Sequence, residues 1–177
     1  MSLSARAARV SDAAAIAAIY NEGIADRIAT FETEPRTPDQ IERWFDGDHP
    51  IVVVETTDGS VAAFASTSGY RARACYAGIA EFSVYVGRRH RRTGAGRVAM
   101  SALIDAATTA GLTKLLSRIF PENAASLGLM ARMGFRIVGT YRRHGKLDGQ
   151  WRDCVIVERL LGEAAEPEDS FTLPGST

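Results

Sequence analysis

One stretch of the chain, EFSVYVGRRHRRTGAG at residues 81–96, joins a β-rich run, a strongly basic loop and closely spaced glycines. The run RVAMSALIDAATTA at 97–110 follows it and has the residue types of a helix. A glycine-rich loop that leads into a helix leaves backbone N–H groups free at the positive end of the helix dipole. Arginine suits phosphate oxygens because its planar guanidinium donates two parallel hydrogen bonds. The stretch therefore predicts a strand, an anion-binding loop and a helix, with a pyrophosphate as the natural ligand.

Other interpretations of this loop have specific weaknesses. The arginines within 88–92 are also compatible with a charged loop that binds nothing. Gly94, Gly96 and Ala99 spell the dinucleotide-binding pattern G-x-G-x-x-A, but seven residues separate Val86 from Gly94. The acidic residue that such a site needs about 20 positions further on is also absent. No Gly-Lys-Ser or Gly-Lys-Thr occurs, so nucleotide hydrolysis is disfavoured.

The flanking sequence predicts further strands and helices. Hydrophobic patterns, caps and turn residues place strands at 5–10, 51–56, 60–68, 76–86, 114–120, 135–141 and around 153–161, and helices after Ser11 and at 37–47, 97–110 and 121–134. Strands joined by a helix are expected to run parallel, and strands joined by a hairpin antiparallel. We predict an α/β (α+β) fold, with a mixed, mostly antiparallel sheet of about seven strands and about four helices on both faces.

The composition describes one globular domain. The chain has 177 residues, 46% hydrophobic and 24% charged, which suffices for one core and is too short for two ordinary domains. We place a single domain at 1–161 and expect the acidic segment 162–177 to be a flexible tail. The formal charge of zero, with no long apolar run or signal peptide, argues against nucleic-acid and membrane partners and favours the cytoplasm. Two cysteines are too few for a disulfide framework, so we expect both to be buried thiols.

Glu81 is an ionisable residue within an apolar run, IAEFSVYV at 79–86. Strand alternation puts Ile79, Glu81, Ser83 and Tyr85 on one face of the strand, and Ala80, Phe82, Val84 and Val86 on the other. Burying an unpaired carboxylate is costly. Glu81 is therefore expected either to pair with an arginine or to serve as a base with a raised pKa, and the residues alone leave both roles open.

Motifs on both sides of Glu81 resemble one enzyme superfamily. Residues 91–96 read R-x-x-G-x-G after the strand VYV, PENAAS opens a later helix, and M-x-x-M-G-F follows. This order resembles the Gcn5-related N-acetyltransferases (GNAT). Within that superfamily, the segments IYNEGI, FETEPRTP, YRARACY, EFSVYV and HGKLDGQWRD make the chain most similar to phosphinothricin and arsinothricin N-acetyltransferases. The resemblance covers about residues 5–161.

The resemblance implies an acyl-CoA N-acyltransferase fold, acetyl-CoA as co-substrate and a homodimer with acceptor sites near the subunit interface. It implies that Glu81 is the general base, directly or through water, because an amine must lose a proton before it attacks a thioester. The cofactor residues that it implies are Val84, Tyr85 and Val86 beside the pantetheine and thioester, Arg91, Arg92, Thr93, Gly94, Ala95 and Gly96 at the pyrophosphate, and Asn123 and Ser126 in the next helix. An N–H group of Val84–Val86 is expected to hold the oxyanion.

Basic residues near Glu81 point to an anionic acceptor. Arg71 and Arg73 alternate in the loop before its strand, and Lys146 belongs to a second basic cluster at 142–146. Guanidinium groups on one side of a loop suit a carboxylate and a phosphinate or arsinate, while solvated loop charge is the competing interpretation. We predict acetylation of the α-amine of a glutamate analogue that carries a phosphinate or arsinate, a reaction that would detoxify it.

Two other functions remain open. One is an acetyltransferase for another small amine such as a methionine derivative, because acceptor contacts lie in loops that vary independently of the cofactor site. The other is a non-catalytic acyl-CoA-binding module, against which the intact Glu81 argues. Met130 stands where phosphinothricin acetyltransferases carry a histidine, so the acid for the leaving thiolate is unassigned, with Tyr141 and His144 as candidates. No metal is expected, because ligand spacing is missing among His49, His90, His144, Cys75 and Cys154.

Overall fold

The computed structural model describes residues 2–165, which form one seven-stranded sheet with four helices. The strands are β1 (Leu3–Ala7), β2 (Ile51–Thr56), β3 (Val61–Gly69), β4 (Ile79–Val86), β5 (Lys114–Ile119), β6 (Arg136–Leu147) and β7 (Gln150–Leu160). The helices are α1 (Ala13–Asp26), α2 (Pro38–Glu42), α3 (Ala95–Thr109) and α4 (Ala124–Arg132). The predicted fold class is confirmed.

The strand order in the sheet is β1-β2-β3-β4-β5-β7-β6. Among the described residues, every neighbouring pair is antiparallel except β4 and β5, which α3 connects. α3 returns the chain to the edge from which β4 started, so β5 runs parallel to β4. The mostly antiparallel sheet is as predicted. The expectation that strands joined by helices run parallel was wrong for β1 and β2, which pair antiparallel because the two helices and the long segment between them return the chain to the opposite edge.

Each face of the sheet has its own hydrophobic core. On one face α3 and its fully buried Met100 pack against the central strands. On the other face α1 packs against the sheet. Ile16 of α1 and Phe64 of β3 belong to this core, and both are fully buried. β4 alternates between the two cores as predicted, since Phe82 belongs to the α3 side and Tyr85 to the α1 side. Side chains at alternate positions of β4 are thus directed to two different environments.

The second helix is shorter than predicted. α2 ends at Glu42, whereas the sequence predicted a helix over 37–47. Thr37 caps it, with Oγ1 accepting a hydrogen bond from the Gln40 N–H (3.3 Å). Trp44 and Phe45 follow in a turn and pack against the α1-side core. Tertiary packing of the two aromatic side chains thus replaces the helical continuation.

Other elements also begin elsewhere than predicted. β1 begins at Leu3 rather than residue 5, β4 at Ile79 rather than 76, and β7 at Gln150 rather than near 153. α3 begins at Ala95 rather than 97, and α4 at Ala124 rather than 121.

The sixth strand is longer than predicted. β6 runs to Leu147, whereas the hydrophobic pattern predicted a strand at 135–141. It forms a hairpin with β7 through Asp148 and Gly149, which both have positive φ angles, 48° and 77°. Such a two-residue turn matches the twist of the flanking strands. β6 is also an edge strand, so its later half carries polar residues without a regular alternation.

The two cysteines lie in different environments. Cys154 is buried on β7, and Cys75 is exposed in the loop between β3 and β4. The expectation that both are buried was wrong for Cys75, because its loop leaves the sheet and forms a 3₁₀ turn at Ala74–Tyr76. Both are free thiols.

The chain end is described as far as residue 165. Of the predicted tail at 162–177, Gly162–Ala164 form a 3₁₀ turn, and residues 166–177 lie outside the described part of the chain. The domain limit at 161 stays a prediction. Between residues 2 and 165, no helix is both long and apolar enough to cross a membrane.

Candidate active site

The two central strands separate in the middle of the sheet. β5 pairs with β7 along all six of its residues but with β4 along only three, and the last of these pairs joins Glu81 and Leu116. Past this pair, β4 keeps β3 as its sheet neighbour within the described residues. Because each strand edge carries N–H and C=O groups that need partners, the separation leaves polar backbone of β4 facing a groove.

Backbone direction decides which β4 residues face this groove. Gly87, directly after β4, donates its N–H to the Ala62 carbonyl on β3 (2.9 Å). Directions alternate along a strand, so Tyr85 also turns its N–H toward β3, while Val84 and Val86 turn theirs toward the groove. The backbone of Val84 and Val86 is therefore open to a ligand, and Tyr85 can contribute its side chain.

A cavity of about 620 Å³ opens beside the groove on the α1 face of the sheet. β4, β5 and the segment 29–34 after α1 form much of its wall. The polar and titratable side chains that line it include Glu32, Glu34, Ser68, Glu81, Ser117, Arg118, His144 and Cys154. Its volume is in the range of small-molecule sites. Among residues 2–165, no group of three His, Cys, Asp or Glu side chains is placed to hold a metal ion.

Glu81 pairs with Arg118 where the strands begin to separate. Arg118 lies on β5, on the face opposite to the buried Leu115 and Ile119. The pair is partly open, with 28% of the Glu81 side chain and 43% of the Arg118 side chain exposed. Of the two roles that the sequence left open, the ion pair is present in this structure, and the carboxylate is accessible from the cavity.

Arg118 is a candidate that the sequence did not reveal. It is 37 positions from Glu81, and the contact depends on the pairing of β4 with β5. Hydrophobic periodicity predicts strands but does not specify which strands are neighbours. The available signal is a basic residue within the apolar run KLLSRIF at 114–120.

The cavity floor on the α1 side is aromatic. The Tyr85 ring meets Tyr20 edge-on, with ring centroids 4.9 Å apart, and stacks on Phe64 at 5.4 Å. Tyr85 lies so close to Gly23 of α1 that an added Cβ there would be 2.5 Å from the Tyr85 Cε1. Burial raises the pKa of both tyrosine hydroxyls, so they stay protonated at neutral pH.

The predicted order of strand, basic loop and helix is present between β4 and α3. Two of the loop arginines, Arg88 and Arg91, reach back to Asp26 at the end of α1 (2.6 and 2.5 Å). Arg92 has a φ of 63°, and Gly94 has a φ of 93° directly before the helix. α3 begins without a side-chain cap. Its first N–H groups are therefore available to an anion.

The second glycine of the loop is required for close packing. A Cβ on Gly96 would lie 3.2 Å from the Leu129 Cδ2 of α4 and 3.3 Å from the Val86 Cγ2 of β4. Both distances are shorter than normal carbon contacts. Gly96 thus lets the start of α3 approach β4, which brings the helix N-terminus close to the groove.

Asn123 and Ser126 lie at the start of α4. The Asn123 Oδ1 accepts a hydrogen bond from the Ser126 N–H (3.1 Å), and its Nδ2 donates to the Ile28 carbonyl (3.3 Å). Both residues line the groove between β4 and β5. The structure brings them to the predicted region, and the amide of Asn123 already serves as a helix cap there.

The basic residues predicted to bind the acceptor lie elsewhere in this chain. Arg71 and Arg73 are exposed in the loop after β3, and the Arg71 guanidinium packs 5.2 Å from the centre of a neighbouring tyrosine ring. Lys146 is exposed on β6, above the Trp151 ring at 4.8 Å. Within the described residues, these three side chains are not part of the cavity lining, whereas His144 is.

The two candidates for the thiolate acid are neighbours. The His144 and Tyr141 rings stack with centroids 4.7 Å apart, and 54% of Tyr141 is exposed. Met130, at the position of the family histidine, is buried in the α3-side core. His144 is the candidate that lines the cavity, and its role as an acid stays a prediction.

Known proteins are similar to this chain in sequence and in fold. The chain matches the acetyltransferase (GNAT) domain family over residues 3–136. It is 35% identical over 165 residues to an L-methionine sulfoximine/L-methionine sulfone acetyltransferase of Pseudomonas paraeruginosa, covering 91% of this chain and 96% of that protein. It is 34% identical over 149 residues to a phosphinothricin N-acetyltransferase of Streptomyces coelicolor, covering 81% and 87%. A GNAT superfamily phosphinothricin acetyltransferase from Sinorhizobium meliloti, solved in complex with acetyl-CoA, has a TM-score of 0.85 and 28% identity, covering 96% and 95%. With this fold and these relatives, the chain belongs to the GNAT family of N-acetyltransferases.

Proposed function

We propose that the protein transfers the acetyl group of acetyl-CoA to the α-amine of a small amino acid whose side chain ends in a tetrahedral oxo group. Phosphinothricin, arsinothricin and methionine sulfone belong to this class. The observation that carries the proposal is the position of Glu81, at the point where β4 and β5 separate and facing the 620 Å³ cavity. The names of relatives that act on phosphinothricin and on methionine sulfone support the class of acceptor.

The groove has the features that acetyl-CoA needs. The free backbone groups of Val84 and Val86 suit the amides of the pantetheine arm. The uncapped N-terminus of α3 after Gly94 suits the pyrophosphate, with Arg92 nearby as a further cation. Bound there, acetyl-CoA supplies a thioester carbon for the amine to attack and a thiolate that leaves. An N–H of Val84 or Val86 is placed to stabilise the negative charge that develops on the carbonyl oxygen.

Glu81 is the residue that makes the amine reactive. An amino-acid amine is protonated at neutral pH and lacks a free electron pair in that form. Glu81 accepts the proton, directly or through water, and so frees the electron pair that forms the new C–N bond. Its accessible position beside the groove allows this transfer while the amine faces the thioester.

The charges in the cavity bear on the identity of the acceptor. Among the described residues that line it, Arg118 is the single arginine or lysine, and Glu32, Glu34 and Glu81 contribute carboxylates. One cation matches one anionic group, the α-carboxylate. The cavity of a single chain therefore favours an acceptor with an uncharged side chain, such as methionine sulfone.

A phosphinate or arsinate acceptor needs a second cation. Arg71 and Arg73 would supply it if a second copy of the chain placed its loop beside the cavity, as the predicted homodimer allows. The edge strand β6 supports such an assembly, because Ile137 and Tyr141 are 63% and 54% exposed there. Sedimentation that shows a monomer at micromolar concentration would contradict the homodimer.

The proposal is tested by measuring thiol release at a fixed acetyl-CoA concentration. The acceptors are methionine sulfone, phosphinothricin and arsinothricin, with N-acetylmethionine sulfone as the blocked control. We expect release with methionine sulfone and none with the blocked control. If none of these acceptors causes thiol release, a non-catalytic acyl-CoA-binding module is favoured. A preference for phosphinothricin over methionine sulfone would indicate that a second cation is present in the site. A resistance activity and a cytoplasmic location stay predictions.

A further inference from the structure

We propose that Arg118 has two alternative partners, the Glu81 carboxylate in the free enzyme and the α-carboxylate of the acceptor in the complex. Arg118 would then recognise the acceptor and release the base in one step. This inference rests on the proposed function, because it requires an amino acid as acceptor. It assigns the acceptor carboxylate to a residue on β5, outside the loop of Arg71 and Arg73.

The position of Arg118 permits such an exchange. Its guanidinium lines the cavity, and 43% of the side chain is exposed. Glu81 is its hydrogen-bond partner among the described residues, through one terminal nitrogen, Nη2. An arginine carries several N–H donors in a planar fork. The remaining donors are free to bind a second carboxylate without disturbing another contact of the fold.

The geometry of an amino acid matches the Glu81–Arg118 pair. The α-amine and the α-carboxylate are attached to the same carbon, so the groups that bind them must be immediate neighbours. Glu81 and Arg118 meet this requirement because they are in direct contact. When Arg118 turns to the acceptor carboxylate, the acceptor ammonium takes its place beside Glu81. One ion pair is replaced by two, and the proton to be removed lies next to the base.

Other cations near the cavity are occupied or distant. Arg36 bonds Glu32 at 2.6 Å, and its guanidinium is not part of the lining formed by the described residues. Lys146 packs on Trp151. Arg118 is thus the cation best placed to bind a carboxylate whose amine contacts Glu81.

The test compares two acceptors that differ only in the carboxylate, methionine sulfone and its α-carboxamide. Arg118→Ala removes the guanidinium that would bind the carboxylate but not the carboxamide, and it leaves Glu81 in place. For methionine sulfone we expect KM to rise about 10- to 100-fold, the range of a charged hydrogen bond, with little change in kcat. For the carboxamide we expect kcat/KM to be retained or increased, because Glu81 is no longer held by Arg118. The preference of the enzyme for methionine sulfone over its α-carboxamide should therefore be lost.

Two further variants serve as controls. Arg118→Lys keeps the charge but loses the planar fork, so we expect an intermediate preference. Arg43→Ala removes an exposed arginine at the end of α2, outside the cavity, and should leave the preference unchanged. Calorimetry with acetyl-CoA reports whether each variant is folded with an intact cofactor site. If Arg118→Ala does not fold, the preference is measured on Arg118→Gln, which should lose it, and on Arg118→Lys.

The outcomes separate this inference from the proposed function. An equal loss of kcat/KM on the acid and the amide would overturn the role of Arg118, while acetylation by the wild-type enzyme would still support the proposed function. An unchanged preference in both Arg118→Ala and Arg118→Lys would also overturn it. A wild-type enzyme that acetylates no amino acid would contradict the proposed function itself.

Discussion

Two arginine–carboxylate sites in this sheet differ in how fully the arginine is used. Arg6 on β1 bonds both Asp12 (2.7 Å) and Glu55 (2.5 Å), and Asp12 also accepts the Arg9 N–H (2.7 Å). Arg118 on β5 bonds Glu81 and keeps donors directed at a cavity. Only 10% of the Asp12 side chain is exposed, against 28% for Glu81. The number of unused donors and their access to ligand distinguish the two sites.

The difference separates a stabilising role from a binding role. A carboxylate whose partners are complete and shielded stabilises the folded state, and removal of one partner leaves a charge poorly compensated. A partly exposed pair with a single hydrogen bond contributes little to stability because water screens it. Such a pair can instead take part in ligand binding, because its unused donors are accessible.

Glu81→Gln should abolish most of the activity and spare the fold. The variant keeps the shape of the side chain but cannot accept a proton, so we expect kcat to fall by about 100-fold or more. Acetyl-CoA affinity and the free energy of unfolding should change little. Glu55→Gln is the matched control, because Glu55 is an equally exposed partner of an arginine but lies outside the cavity, and it should retain activity. Near-normal turnover of Glu81→Gln at neutral pH would exclude Glu81 as the base.

Arg6→Met should have the opposite effect. It leaves the Asp12 and Glu55 carboxylates without their shared cation, so the free energy of unfolding should fall by about 1–3 kcal/mol. Urea denaturation measures this change, and kcat should be retained. Asp148→Asn, which breaks the exposed pair with Arg27, should cost at most about 0.5 kcal/mol. Equal losses in the two variants would contradict the distinction between shielded and exposed pairs.

Gly96→Asp should weaken acetyl-CoA binding without disturbing either arginine site. The new side chain meets Leu129 and Val86, and its charge opposes an anion at the helix N-terminus. We expect Kd for acetyl-CoA to rise about 10-fold or more, as measured by calorimetry. Gly96→Ala adds the same Cβ without the charge, so it separates packing from electrostatics. A Kd unchanged in Gly96→Asp would place the pyrophosphate elsewhere.

The pH dependence of stability should show the smallest effect. The hydrogen bonds from Arg6 hold the pKa of the Asp12 carboxyl below its ordinary value. A carboxyl with a lowered pKa contributes stability above its unfolded-state pKa, and this contribution is lost as the pH falls through the folded-state pKa. The stability difference between wild type and Asp12→Asn should therefore shrink as the pH falls from about 5 to about 2. A difference that stays constant over this range would show that Asp12 is not linked to folding.

The sequence predicted the elements whose patterns are local. The run at 81–96 specified β4, the basic loop and the start of α3, and alternation placed Glu81 and Tyr85 on the same face. The order of the strands in the sheet could not be predicted from local patterns, because strand pairing depends on contacts between distant segments. The separation of β4 from β5 follows from such pairing, since β5 follows β7 along its whole length. The groove was thus not predicted, and the resemblance implied only that Val84–Val86 lie beside the pantetheine.

The remaining differences have physical reasons of the same kind. Arg118 is one basic residue in a strand, and its importance depends on a partner that only the fold supplies. The later half of β6 lacks alternation because both of its faces are largely exposed. Cys75 was expected to be buried as a free thiol, yet its polar loop leaves it exposed on the surface. In each case a tertiary contact, or its absence from an exposed segment, outweighs the local pattern.

The two glycines before and within α3 have a consequence for which variants of this enzyme can survive. Gly94 needs a positive φ but has open space around it, so Asn, which tolerates that conformation, is its most acceptable replacement. Gly96 needs little volume rather than a special conformation, so Ala and Ser are the replacements with the smallest penalty there. A library selected for activity would therefore be enriched in different residues at positions 94 and 96, although both are glycine in this chain.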